Sequence, residues 1–566
     1  MTRKRSFRRF LHGSTALGGL LLLGSLPFPA HALEVIVDGS GDGTTGTWNS
    51  PWNVGGSLSV GHVSGDDVRL VIRNGGVVDS TFSNIGENSG STGTVTVTGA
   101  GSTWANSVSL YVGVSGSGTL NVEHGGSVVS DYFGYVGLGF GSSGAATVTG
   151  AGSTWVSGAD LHVGHAGDGT LAISGGGMVS NVRGYVGYGP GSTGAVAVTG
   201  AGSSWANSSD LYVGYSGDGA LTISDGGTVH VDGMMTIARD TGSTGTLNIG
   251  AAAGGTAAGA GILDAASLAF GAGAGTLVFN HTDTDYVFGT AISGGGTINH
   301  LAGNTTFSAD SSGFTGETIV NGGTLTITGE LGTTVTGGAE GEGAIIGHSA
   351  GSSGTVAVTG ADANWSIAAD LRVGFQGNGT LAISDGGTVY NRSSLIGIIP
   401  GSTGAVTVTG TGSSWDNSSD LFVGFFGNGT LSISEGGYVT NGFGTIGLNY
   451  GSRGAVSVTG AGSVWKTNLE LFVGYYGDGS LTISDGGTVD ANNGTVTVAR
   501  STSTTGVLNI GAAAGDAAAA AGTLNASSLV FGAGIGSLVF NHTDSDYDFG
   551  VAVSGSGTIS HLAGIE

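Results

Sequence analysis

The chain has 566 residues, among them 119 Gly, 5 Pro and no Cys; only 9% of residues are charged, yet the formal net charge is −25. The acidic balance excludes a nucleic-acid binder, which needs basic patches, and attraction to anionic lipid, while the missing Cys excludes disulfide staples. Length alone suggests several domains, but the internal repeats argue for one long array.

Residues 1–32 read as a signal peptide. MTRKRSFRRF carries five basic residues, Leu17 to Leu23 is a short apolar run, and Ala30-His31-Ala32 is a small-x-small cleavage site. The mature chain is therefore expected to begin at Leu33. The apolar run is too short to span a membrane. Arg8-Arg9-Phe10-Leu11 lacks one residue of a twin-arginine signal, so the general secretory route is preferred. Residues 33–90 lack the repeated pattern of the rest of the mature chain. They carry Trp48, Trp52 and the charged stretch Asp66 to Arg73, and are expected to cap the array.

Residues 91–250 hold three copies of one unit, clearest at 194–229 as GAVAVTGAGSSWANSSDLYVGYSGDGALTISDGGTV. Three more fill residues 351–510. Each has one Trp in the same frame: Trp104, Trp155, Trp205, Trp365, Trp415 and Trp465, spaced 50 or 51 residues apart within a trio. A fixed period of that size marks a solenoid. Inside the unit apolar residues alternate, as at Val196 and Val198, Leu211 and Val213, and Leu221 and Ile223, which is the strand signature. Gly, Ser, Asn and Asp clusters separate the runs and supply the positive-φ residues of tight turns. Four or five short strands per unit fit two coils of a right-handed parallel β-helix. At roughly 25 residues per coil and ~4.8 Å per step, the mature chain makes about 20 coils. Outward positions are Thr, Ser and Asn, which suit a strand surface. The expected fold class is all-β.

A larger repeat lies over the first. Residues 251–303 are Ala/Gly-rich and end in an NHTD segment. FGAGAGTLVFNHTDTDYVFGTAISGGGTINHLAG (270–303) returns as FGAGIGSLVFNHTDSDYDFGVAVSGSGTISHLAG (531–564), offset by 261 residues. The chain thus reads as two blocks, with residues 304–350 between them and 511–566 as the second Ala/Gly-rich and NHTD segment. That second copy stops in mid-block at Glu566. Its last coil is expected to expose unpaired strand edges and to promote self-association.

The ordered pattern G-x-V-x-V-T-G-x-G-S-x-W, then L-x-V-G, then G-x-L-x-I-S-x-G-G recurs whole, as in GAVTVTGTGSSWDNSSDLFVGFFGNGTLSISEGG (404–437). It resembles the repeat of type V secretion (autotransporter) passengers and of PEP-CTERM-associated exported proteins, over roughly residues 90–566. FTGETIVNGGTL (314–325) is similar to the autotransporter-associated β-strand repeat. The resemblance implies an exported β-solenoid of a Gram-negative bacterium, adhesin-like, held at the cell surface and outer membrane or secreted. Autotransporters end in a β-barrel, which is not seen up to Glu566. The resemblance therefore implies a truncated chain or an outer-membrane translocator supplied separately.

Several residues admit a chemical reading beside a structural one. The six Trp could stack on sugars, but each follows a GS turn in one frame, so packing at a coil corner is preferred. The residue between the inward Leu and Val forms a column: Tyr111, His162, Tyr212, Arg372, Phe422 and Phe472. Alternation turns it away from the core, so it is a candidate partner-binding ladder, or a ladder that only stabilises the sheet. Asp168, Asp218 and Asp478 in GDG turns lack the tandem nonapeptides of calcium-binding β-rolls. Asp283/Asp285 and Asp544/Asp546, beside His281 and His542, read as structural turns. No serine elbow, HExxH, phosphate loop or Cys nucleophile is present, so neither catalysis nor a metal or cofactor is expected. The reading is a passenger that binds cells, matrix or glycans. The alternatives are a passive stalk or biofilm scaffold and, less favoured, a polysaccharide-active enzyme.

Overall fold

The computed structural model describes residues 21–23, 33–38, 47–332 and 343–564. Most of the expected signal segment, with its cleavage site, and residues 333–342 of the linker lie outside these. Every regular element among the described residues is a β-strand. The pairing is parallel throughout, apart from one isolated antiparallel bridge between Ser484 and Ala521. The protein is a parallel β-solenoid of about 20 coils. It divides into two compact units: one up to Thr246 with Gly261–Ala265 and Ala272–Ala274, the other the rest.

One coil of the first unit shows the plan. It holds a seven-residue strand Thr193–Thr199, a four-residue strand Ser204–Asn207 and a three-residue strand Leu211–Val213. The next coil repeats it from Asp218–Ser224. Five of the six 50-residue units thus have six strands on three faces, more than the four or five expected, and the third has five because Thr228–Ile237 runs on as one strand. The extra strands are the short ones on alternate coils, such as Gly184–Val186, where Gly184 stands opposite the inward Leu211 and removes one apolar residue of the alternation.

Alternation sets what is inside. Val196 and Val198 are buried, and they pair with Leu171 and Ile173 on one side and Leu221 and Ile223 on the other. Apolar columns therefore run through the coils, and each coil buries what its neighbour exposes. Two glycines explain the tight corners. Gly164 has φ +75°, and a Cβ there would lie 2.2 Å from the Thr193 carbonyl oxygen. Gly194 is extended, but a Cβ would lie 2.3 Å from both the Val163 oxygen and the Gly187 nitrogen.

The segments flanking the trios join the same plan. In the first unit Leu21–Leu23 pair with Leu58–Val60, and Leu70 pairs with Val95 of the first repeat. In the second, Thr297–His300 pair with Glu317–Val320, and Gly322–Ile327 with the repeat strand Ser353–Thr359.

Candidate functional site

The six repeat Trp are at most 2% exposed. Trp205 lies between Val179 and Val229 of the adjacent coils. Large and small residues alternate along that inner column, which lets the layers interdigitate. The packing reading holds, and these rings are closed to any ligand.

The other acidic candidates tie one coil to another. Asp168 accepts from the Thr193 hydroxyl and Asp218 from the Thr244 hydroxyl, at 2.7 Å for the latter. Asp283 accepts from the Ala260 amide at 3.3 Å, and Asp544 from the Ala521 amide at 2.8 Å. In the same NHTD segment Asn280 donates to the carbonyls of Ala252 and Gly255, and Asn541 does the same to Ala513 and Asp516. Buried His281 bonds Thr305 at 2.8 Å. The segment clamps the Ala/Gly-rich loop to the stack. Among the described residues no group of three or more His, Cys, Asp or Glu is gathered as a metal requires.

The outward column is longer than the sequence reading made it. In the first unit Tyr111, Tyr135, His162, Tyr185 and Tyr212 pair in register. Their ring centroids lie 5.3, 4.8, 4.6 and 5.2 Å apart at interplanar angles of 8° to 12°. Tyr135 and Tyr185 sit on the alternate coils, which a 50-residue frame skips. The signal was present in the two GYVG sequences, aligned with LYVG and LHVG of the Trp-bearing coils. A second row, His165, Tyr188 and Tyr215, follows from the adjoining turns, stacked at 4.8 and 5.0 Å. Arg239 ends this row 4.2 Å over Tyr215. The two rows meet edge to face, as Tyr185 meets Tyr188 at 89°.

The edge-to-face meeting of the two rows has a simple cause. Coils step by ~4.8 Å while ring carbons touch at ~3.5 Å, so stacked rings lean by roughly 45° to stay in contact. Neighbouring rows leaning in opposite senses then meet near 90°. Ring faces are thereby spent on one another, and mainly edges and hydroxyls remain outside. His162 is only 6% exposed, not the exposed residue that alternation implied, because Tyr135 and Tyr185 cover both of its faces. Burial, with His165 beside it, holds its pKa down at about 3. Burial, reinforced by Asp160, pushes the Tyr185 phenol up to about 12.

The second unit is built differently. Its column reads Ile345, Arg372, Leu395, Phe422, Thr445, Phe472 and Thr497. Buried Thr445 separates Phe422 from Phe472. Each ring instead meets a turn residue edge to face, Phe425 at 5.7 Å and Tyr475 at 5.0 Å. Arg500 lies 4.2 Å over Tyr475, as Arg239 does over Tyr215. The candidate residues therefore form one closed stack in the first unit and an interrupted series in the second.

No protein-family profile matches the chain, and no curated protein matches it. Among solved structures, the crystal structure of a TibC-catalyzed hyper-glycosylated TibA55-350 fragment matches at 16% identity. It covers 84% of this chain and 98% of that one, with a TM-score of 0.17. A score that low carries no argument about fold or function. The resemblance to passenger repeats rests on the recurring sequence motif itself.

Proposed function

We propose that the chain is an exported β-solenoid passenger, displayed on the surface of a Gram-negative cell or released from it, that acts by adhesin-like binding and not by catalysis. Its partners are surfaces of neighbouring or host cells, matrix or glycans. The observation that supports this most is the outward aromatic side chains, stacked in the first unit and interrupted in the second, on a scaffold whose interior is filled by packing. Long repeated surfaces suit extended partners, and the basic signal-like start supports export.

The closed Tyr–His stack favours a second role for the first unit. Rings that cover one another add to stability more than to recognition, which is what a spacer needs. The test is direct. Cells producing the chain are expected to show repeat epitopes that external protease removes, or to release them into the medium, and to adhere to glycan- or matrix-coated surfaces better than cells without the chain. Retention in the cytoplasm overturns export, and equal adhesion leaves the stalk.

A further inference from the structure

The last coils of the second trio carry aromatic side chains that the fold does not require. The turn after the three-residue strand follows one plan in each Trp-bearing coil, as in Gly164-His165-Ala166-Gly167. Its third position is Ser115, Ala166, Ser216 or Gln376 in four repeats, but Phe426 and Tyr476 in the last two. On the coil between those two, Tyr450 stands where other coils place Pro190 and Pro400. These turns also close without a ring, as with Ser216 and Pro190, so local geometry does not explain three rings together.

These rings are in solvent. Phe426 is 44% exposed, Tyr450 70% and Tyr476 36%. The strands before their turns, Leu421–Val423, Gly444–Ile446 and Leu471–Val473, pair in register. The rings thus occupy three consecutive coils and span two coil steps, roughly 10 Å. Tyr450 and Tyr476 lie 5.1 Å apart and inclined at 36°. Phe425 and Tyr475 brace Phe426 and Tyr476 edge to face, at 5.2 and 4.8 Å. The rings are supported by neighbours, yet they do not close on one another as the Tyr–His stack does.

A polar row runs beside them. Asn428, Arg453 and Asp478 begin the three following long strands, pair in register and are exposed. The row offers both donors and acceptors. Clustered exposed rings mark a surface that gains from being covered. A ligand that covers rings while engaging a mixed row of donors and acceptors has apolar C–H faces and many hydroxyls. The net charge of −25 disfavours a polyanion.

We propose that Phe426, Tyr450 and Tyr476 form a platform for a neutral glycan, with pyranose faces on the rings and hydroxyls on Asn428, Arg453 and Asp478. This deepens the adhesin-like reading above by naming its site and ligand class. In the first unit Phe140 occupies the Tyr450 position alone, between coils with Ser115 and Ala166, and serves as an internal control.

The purified chain is titrated with chitohexaose, cellohexaose and mannohexaose, and in parallel with polygalacturonate and with phosphatidylcholine vesicles. At least one neutral hexasaccharide is expected to bind. Tyr450→Ala and Phe426→Ala should each weaken binding by about tenfold or more, as central aromatic contacts do, with an unchanged melting transition. Tyr450→Phe should retain most of the affinity, and Phe140→Ala all of it. Absence of binding to all three sugars, binding confined to polygalacturonate or vesicles, or an equal loss in Phe140→Ala overturns the platform. Cell adhesion that Tyr450→Ala leaves intact overturns the platform and spares the surface-binding reading. Hexasaccharide binding through Tyr450 by a chain retained in the cytoplasm does the reverse.

Discussion

Six indoles decide much of the packing, and their polar atoms show where it is incomplete. Trp205, Trp415 and Trp465 donate through Nε1 to Asn181, Asn391 and Asn441 at 2.6, 2.8 and 2.7 Å. Each Asn lies one coil earlier. At that place Trp104 and Trp155 find Ser80 and Ser130, which are too short, and their Nε1 atoms have no partner. Trp205→Ala should therefore lower stability by roughly 3–5 kcal/mol through the cavity it leaves. Asn181→Ala should cost about 1–3 kcal/mol by stranding a buried donor, and Ser130→Asn should add about 1 kcal/mol. Denaturant midpoints check all three, and an unstable Ser130→Asn would show that the Asn column is not interchangeable with Ser. His162 sets a pH dependence. Its folded pKa of about 3 lies below its ordinary 6.5. As pH falls through that window the unfolded chain takes up a proton that the folded chain refuses, so stability present above about 6.5 is lost toward 3. His162→Tyr copies Tyr135 and Tyr185 and removes this contribution. The drop in melting temperature between pH 7 and pH 4 should then be smaller than in the parent, and an equal drop assigns the effect to other groups.

Strands owe their register to glycine as much as to the apolar residues. Gly93, Gly118, Gly144, Gly169, Gly194 and Gly219 form one column at the second position of the long strands. There the strand passes so close to corner backbone that no Cβ fits. Gly194→Ala must displace backbone on two coils and is expected to cost about 1–3 kcal/mol, read as an earlier thermal transition. A transition equal to that of the parent would mean that the corner is loose. Period-two alternation made the long strands and their inward residues legible from sequence. The three-residue strands of the alternate coils were not, because Gly134 and Gly184 stand where Leu110 and Leu211 mark the inward side. That is why Tyr135 and Tyr185 were missed while Tyr111 and Tyr212 were found.

Stacking is also what protects the end of a unit. In the first block Ile298 is fully buried, because Glu317–Val320 of the next coil covers it. Its counterpart Ile559 is 56% exposed, and Leu562 beside it 54%. For a protein produced as this chain, a copy of residues 304–331 added after Gly564 should bury both and reduce oligomers in size-exclusion chromatography with light scattering. Equal elution and mass with and without the addition would show that this surface does not associate.

The residues alone determined the period, the parallel all-β class, the apolar core and the packing role of the six Trp, because each of these depends on local alternation or on a frame repeated along the chain. Tertiary structure decided which outward side chains are available. Tyr111 and His162 read as exposed by alternation, but stacking between coils buries His162 and uses up ring faces along the Tyr–His column. Phe426, Tyr450 and Tyr476 lie in turns with no periodicity, and only the register of three coils brings them onto one surface. Exposure on a solenoid depends on what the coils above and below supply, and that neighbour lies about 25 residues away, beyond the reach of any local pattern.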